Sequence, residues 1–125
     1  MEPTYTITKQ FHFSASHQLS ELPDDHPCAR LHGHNYIIEV VLQSQQLNHV
    51  GFVVDYGELK PLKQYIDDNL DHRHLNDFFG VNPTAENIAR ELFFFCLSWW
   101  PETVAVRVSE TPKTWAEYRE DPDVY

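Results

Sequence analysis

The chain has 125 residues, of which 42% are hydrophobic and 14% aromatic, which suits one globular domain with a real core and leaves little room for disorder. Its 19 acidic side chains against 9 basic ones give a formal net charge of −10, so a phosphate backbone is repelled and direct nucleic-acid binding is disfavoured. The start, MEPTYTITKQ, carries neither a basic nor an apolar leader region, and no stretch of about 18 apolar residues occurs, so secretion and membrane spanning are unsupported and a cytoplasmic location is expected.

Residues 5 to 17 alternate and predict a strand in which Phe11, Phe13, Ala15 and His17 share one parity and His12, Ser14 and Ser16 the other. His17 therefore points with the apolar side chains, while His12 and His49 read as solvated. The loop SELPDDHPCAR follows, its two prolines and acid pair interrupting any periodic element, and residues 35 to 43 then alternate again as the second arm of a long hairpin. If that arm begins near Leu31, His32 and His34 project from one face, with Gly33 offering little bulk on the other. Three neutral imidazoles with an open fourth position describe a catalytic zinc site better than a structural one, which closes with four protein ligands. The plainer alternatives are chance clustering among eight histidines and a hydrogen-bonded core histidine.

Cys28 stands just ahead of the His-Gly-His and is the candidate base or nucleophile, because a useful thiolate needs a cationic neighbour, a histidine or a metal. Its alternative is a small loop cysteine with no role. Cys96, in ARELFFFCLSWW, reads as a small buried hydrophobe, and a reducing compartment would keep Cys28 a free thiol.

GFVVDY is expected to be a short apolar strand, and ELKPLKQYIDDNL places Leu59, Leu62, Ile66 and Leu70 at helical spacing, with Pro61 fixing the start near Leu59 or Lys60. LDHRHLND follows as a loop. In it Asp71 beside His72 can fix an imidazole tautomer, or Asp71 can serve as a turn residue, and Arg73 and His74 are left open. NPTAEN opens a second helix with Pro83 and Thr84 as start signals and Glu86 as a favourable dipole charge; Ile88, Leu92, Phe95, Cys96 and Trp99 form its apolar face, and Pro101 ends it. TVAVRVSE is the last strand, with Val104, Val106 and Val108 on one face and Glu110 on the same parity. An inward carboxylate wants a partner, either a structural arginine or the amidine edge of a ligand. The order strand, strand, short strand, helix, helix, strand predicts an α+β domain, a mainly antiparallel sheet with two helices on one face. Its open edges suggest association with another copy of the chain.

Taken together, FSASH with His17, CARLHGHNY with Cys28, His32 and His34, VVDYGELK, LDHRHLND, NPTAEN and SET with Glu110 resemble the 6-pyruvoyl-tetrahydropterin synthase family. The resemblance is colinear over nearly the whole chain, with REDPDVY outside it; residues 1–125 read as one domain with 118–125 an acidic tail. The short spacing from Cys28 to His32 is similar to the 6-carboxy-5,6,7,8-tetrahydropterin synthase branch, which serves 7-deazapurine and queuosine formation. The resemblance implies the T-fold (tunnelling fold), its barrel formed by oligomerisation, commonly as a hexamer with active sites at subunit contacts. It implies zinc held by His17, His32 and His34, proton transfer by Cys28 with an Asp71–His72 relay, pterin anchoring by Glu110, and further pterin contacts at Thr84 and Glu86. The implied substrate is 7,8-dihydroneopterin triphosphate, and the implied products are 6-carboxy-tetrahydropterin, acetaldehyde and triphosphate, with no redox cofactor. Alternatives are the pyruvoyl-forming activity on the same substrate and a noncatalytic zinc- or pterin-binding module. Candidates to compensate the substrate's phosphates are Arg30, Arg73, Arg107 and Lys113.

Overall fold

A computed structural model describes residues 3–121; the last residues of the acidic tail, 122–125, lie outside them. Alternation builds the two long strands as expected: β1, Tyr5–His17, and β2, His32–Ser44, pair antiparallel from Tyr5↔Ser44 to His17↔His32. Helix α1 spans Lys60–Asn69 with Pro61 in its first turn, where the missing N–H has no intrahelical partner to lose. Helix α2 spans Ala85–Trp99; Thr84 caps it by accepting the Asn87 N–H, and its last turn closes on Trp100, directly before Pro101.

Five strands form the sheet in the order β3-β1-β2-β4-β5, where β3 is Arg73–His74, β4 Thr103–Thr111 and β5 Thr114–Arg119. All neighbours are antiparallel except the two-residue β3, which runs parallel to β1 through Ala15↔Arg73 and Ser16↔His74. One face of the sheet, carrying Phe11, Phe13, Tyr36, Ile38, Val40, Val106 and Val108, packs in a single cluster with Leu62 and Ile66 of α1 and Ile88, Leu92, Phe93 and Cys96 of α2. Both helices therefore cover the same face. The other face is mostly polar, with Val41 and Ala105 as an apolar exception: Gln10 donates to Glu39, Arg107 pairs with Glu39 at 3.0 Å, and Ser14 donates to Asn35.

Four expectations are corrected. GFVVDY is not a strand: the Asn48 side-chain oxygen accepts the N–H groups of Val50, Gly51 and Phe52, Gly51 adopts φ 110°, and a 3₁₀ turn follows at Tyr56–Leu59. Val53 and Val54 still pack on the core, so the apolar run reflects burial without sheet pairing. TVAVRVSE is not the last strand: β5 follows it and runs into the start of the 118–125 tail, missed because its alternating burial is shallow and mostly exposed. On α2 the buried stripe is Ile88, Ala89, Leu92, Phe93 and Cys96; Phe95 is half-buried and Trp99 exposed, the stripe having turned toward the sheet. Val104 is buried but groups with Val41 and Ala105, since the pairing of β2 with β4 shifts between Val41 and Leu42. Among the described residues no helix is long and apolar enough to cross a membrane.

Candidate active site

The open end of the β1–β2 hairpin brings the three imidazoles together. His17 ends β1 and His32 begins β2 as a cross-strand pair, and His34 follows one pleat along. Their ligand atoms all lie within 4.8 Å of one another, so the trio could hold a metal ion. His17 is fully buried and its Nδ1 donates to the Pro83 carbonyl at 2.7 Å, while His32 Nδ1 donates to the Arg30 carbonyl at 2.6 Å. A neutral imidazole that donates from Nδ1 carries a bare lone pair on Nε2. The two Nε2 atoms of His17 and His32 then face each other at 2.8 Å as acceptors, an arrangement that repels unless a cation lies between them.

His34 completes the pattern. Its Nε2 is buried without a hydrogen-bond partner, 3.8 Å from a Glu110 carboxylate oxygen. Burial holds His17 and His34 below the usual imidazole range; the Pro83 carbonyl and Glu110 oppose it for His17, Glu110 opposes it for His34, and neighbouring imidazoles reinforce it for both. Both are thus neutral and ready to donate a lone pair. The donor set, three imidazoles with an orphaned nitrogen among them, fits zinc. Beneath the trio, the Tyr36 ring sits edge-on to His17 and His34 and stacks on Phe13, with its hydroxyl 3.2 Å from His17 Nδ1. Burial raises the Tyr36 pKa, keeping the hydroxyl protonated.

Asp71 and His72 form a second group on the outer edge of β1. One Asp71 oxygen accepts the Ser14 N–H at 2.9 Å and the other lies 3.0 Å from His72 Nδ1, and the Ser14 N–H, with His72, holds the Asp71 carboxyl below the usual range. His72 adopts φ 57°, a left-handed conformation unusual for a side chain, and its N–H donates to Ser14 O, which leaves the imidazole 82% exposed. Next to it, the Ser16 hydroxyl and His74 Nδ1 share a hydrogen bond of 3.0 Å. Cys28 is half-buried and free in a 3₁₀ turn, Pro27–Ala29, where its N–H donates to His26 Nδ1. Among the described residues it makes no side-chain hydrogen bond to Asp71 or His72, so a single chain assembles the imidazole trio with Glu110 and, separately, the Asp71–His72 pair. Thr84 acts as the cap of α2, whose preceding residue Pro83 orients His17, and Glu86 is exposed on the first turn.

Several contributors escaped the sequence reading. The Pro83 and Arg30 carbonyls, which set the tautomers, have no side-chain signature. Asn76 and Asn82 act as side-chain strands: Asn76 exchanges two hydrogen bonds with the Gln18 backbone and Asn82 two with the Ser20 backbone, continuing the β1 edge past His17 into the loop that carries Cys28. Their positions beside LDHRHL and before PTAEN were the available signal.

A family model described as 6-pyruvoyl tetrahydropterin synthase matches residues 6–121, and so takes in Arg119, Glu120 and Asp121 of REDPDVY. A Synechocystis protein named 6-carboxy-5,6,7,8-tetrahydropterin synthase is 38% identical over 95 residues, 71% of this chain and 72% of that protein. A Bacillus subtilis protein of the same name is 30% identical over 129 residues, covering 93% and 86%. The solved structure of Caenorhabditis elegans 6-pyruvoyl tetrahydropterin synthase superposes with a TM-score of 0.82 at 30% identity, over 95% of this chain and 97% of that one. The fold shared with such structures is the T-fold. Matched from the first strand to the end of the last, with its imidazole trio at the hairpin end, the chain belongs to the 6-pyruvoyl tetrahydropterin synthase family.

Proposed function

We propose that the protein is a zinc-dependent lyase that converts 7,8-dihydroneopterin triphosphate to 6-carboxy-5,6,7,8-tetrahydropterin with release of acetaldehyde and triphosphate, a step toward 7-deazapurines and queuosine. The observation that carries this reading is the convergence of His17, His32 and His34, two with Nε2 lone pairs facing at 2.8 Å and the third with Nε2 unpartnered. Relatives named 6-carboxy-5,6,7,8-tetrahydropterin synthase support the choice of product, as does the short spacing from Cys28 to His32.

Zinc, when bound by these three imidazoles, supplies a Lewis acid that eases proton loss from the substrate's side-chain hydroxyls and stabilises the negative charge that develops there. Cys28 accepts a proton, and His72, oriented by Asp71, returns one to carbon. Glu110 accepts from the amidine edge of the pterin, with Thr84 and Glu86 as further ring contacts. One water is consumed: it supplies the second carboxyl oxygen as the carbon–carbon bond breaks and acetaldehyde leaves, while the ring gains its electrons from the side chain, so no redox cofactor is required. Because Cys28 and His72 have no hydrogen bond within one chain and His72 is exposed, the relay is completed between subunits. The outer edge of β5 and the stretch of β1 that β3 leaves uncovered are the surfaces for that assembly, a hexamer in this reading, and a mass in solution equal to one 14.7 kDa chain would contradict it. Both cysteines are free, which fits the cytoplasm.

The test is to incubate zinc-loaded protein with 7,8-dihydroneopterin triphosphate and assay acetaldehyde and triphosphate in one sample. Equal yields are expected. Triphosphate without acetaldehyde would move the protein to the pyruvoyl-forming activity, and neither product from folded, zinc-loaded protein would leave a noncatalytic binding module.

A further inference from the structure

We propose that His26 is a positioning residue for the reaction: its imidazole caps the 3₁₀ turn Pro27–Ala29 and so fixes the placement of the Cys28 thiol relative to the imidazole trio. This deepens the lyase reading and rests on it for the role of Cys28 as proton acceptor.

The hydrogen bonds of the turn carry the inference. Pro27 has no N–H, and the Ala29 and Arg30 N–H groups donate to the carbonyls of His26 at 3.0 Å and Pro27 at 3.3 Å. The Cys28 N–H is left for a side chain, and His26 Nδ1 accepts it at 3.0 Å. His26 is itself held in place. It is extended at φ −70° and ψ 132°, as a residue before proline prefers, and its N–H donates to the Pro23 carbonyl at 2.9 Å. The other side of the turn is pinned to the segment after β1. There the Leu19 N–H donates to the Cys28 carbonyl at 3.1 Å and the Gln18 side-chain amide donates to the Ala29 carbonyl at 3.0 Å. Both backbone groups of Cys28 are therefore engaged, and without the imidazole only the carbonyl side stays fixed. Two residues on, the Arg30 carbonyl accepts from His32 Nδ1 at 2.6 Å, so one short segment holds the thiol and orients a metal ligand.

The choice of cap has a chemical reason. Asp, Asn, Ser and Thr are the common caps, and Asp24 and Asp25 stand exposed just before His26. A carboxylate accepting the Cys28 N–H would put a negative charge beside the thiol and oppose its ionisation. A neutral imidazole accepts the same bond without that charge, its ring proton on Nε2 of an exposed side chain. A thiol that has to give up its proton to act as a base gains from a cap of this kind.

The test compares wild-type protein with His26→Ala, His26→Asn and His26→Asp, all zinc-loaded and checked for zinc content and thermal unfolding. Steady-state kinetics are read beside the rate at which iodoacetamide alkylates Cys28, followed by peptide mass; Cys96 is fully buried and does not compete. His26→Ala is expected to lower kcat about tenfold with KM and zinc content unchanged. His26→Asn, a neutral cap, restores kcat to within about threefold of wild type. His26→Asp also caps the turn, yet slows alkylation at pH 7 about threefold, a change that a purely structural cap would not produce. Wild-type kcat in His26→Ala, no recovery in His26→Asn, or equal alkylation rates in His26→Asp and His26→Asn overturns the proposal. So does loss of zinc in His26→Ala, which would assign the cap to the metal centre. Should His26→Ala unfold, the alkylation rates of the Asn and Asp variants decide. No turnover in wild type, with alkylation still separating Asp from Asn, would keep His26 beside the thiol and refute the lyase reading; turnover in wild type with equal kcat in His26→Ala would do the reverse.

Discussion

Single side chains set the chemistry through partners that are mostly backbone. His17 and His34 are held neutral by burial, and this has a pH signature in metal-free protein. Unfolded imidazoles take up protons near pH ~6.5, and these two do so only at lower pH when folded. Between those limits the unfolded state binds more protons, so stability is fully present above about pH 6.5 and declines as the pH falls. A lower urea midpoint at pH 5.5 than at pH 7.5 is expected, with a smaller difference in His34→Gln; equal midpoints would contradict the burial argument. His72 offers a second check, because its left-handed backbone is costly for any residue with a Cβ. His72→Gly is expected to keep stability within about 1 kcal/mol of wild type while turnover falls at least about a hundredfold. A destabilised protein with normal turnover would show that the conformation serves the fold and not the chemistry. The inward direction of His17 and Glu110 was legible from parity alone, since a pleat leaves two choices. What holds the imidazole nitrogens was not, because carbonyls at Arg30 and Pro83 leave no mark on residue type.

Elements place these side chains, and here the sequence was informative wherever periodicity was long. Thirteen alternating residues in each arm of the hairpin fix its register, and Pro61 and Thr84 mark both helix starts. It was misleading where a short apolar run such as GFVVDY packs without pairing, and silent at β5, whose side chains are mostly exposed. The clamp made by Asn76 and Asn82 is an element of another kind, a strand edge extended by side-chain amides. Asn82→Ala removes both hydrogen bonds to the Ser20 backbone and is expected to cost about 1–2 kcal/mol and, by loosening the loop bearing Cys28, to lower kcat about tenfold with zinc content unchanged. A variant with the stability loss but wild-type kcat would confine the clamp to a structural role.

At the scale of the whole molecule, one face of the sheet is covered by helices and the other is mostly polar, with free edges on β5 and on the part of β1 that β3 leaves uncovered. The α+β class followed from element order, whereas the closing of a barrel depends on copies of the chain and is a property of the assembly. The imidazole trio needs only one chain, and it is there that the account is most exposed. The direct measurement is a titration of metal-free protein with zinc, reading bound zinc per chain and product formed in the same samples. One zinc per chain is expected, with turnover rising in proportion and both lost in His32→Ala. Full turnover without metal, or zinc bound equally well by His32→Ala, would contradict the assignment of His17, His32 and His34 as the metal centre.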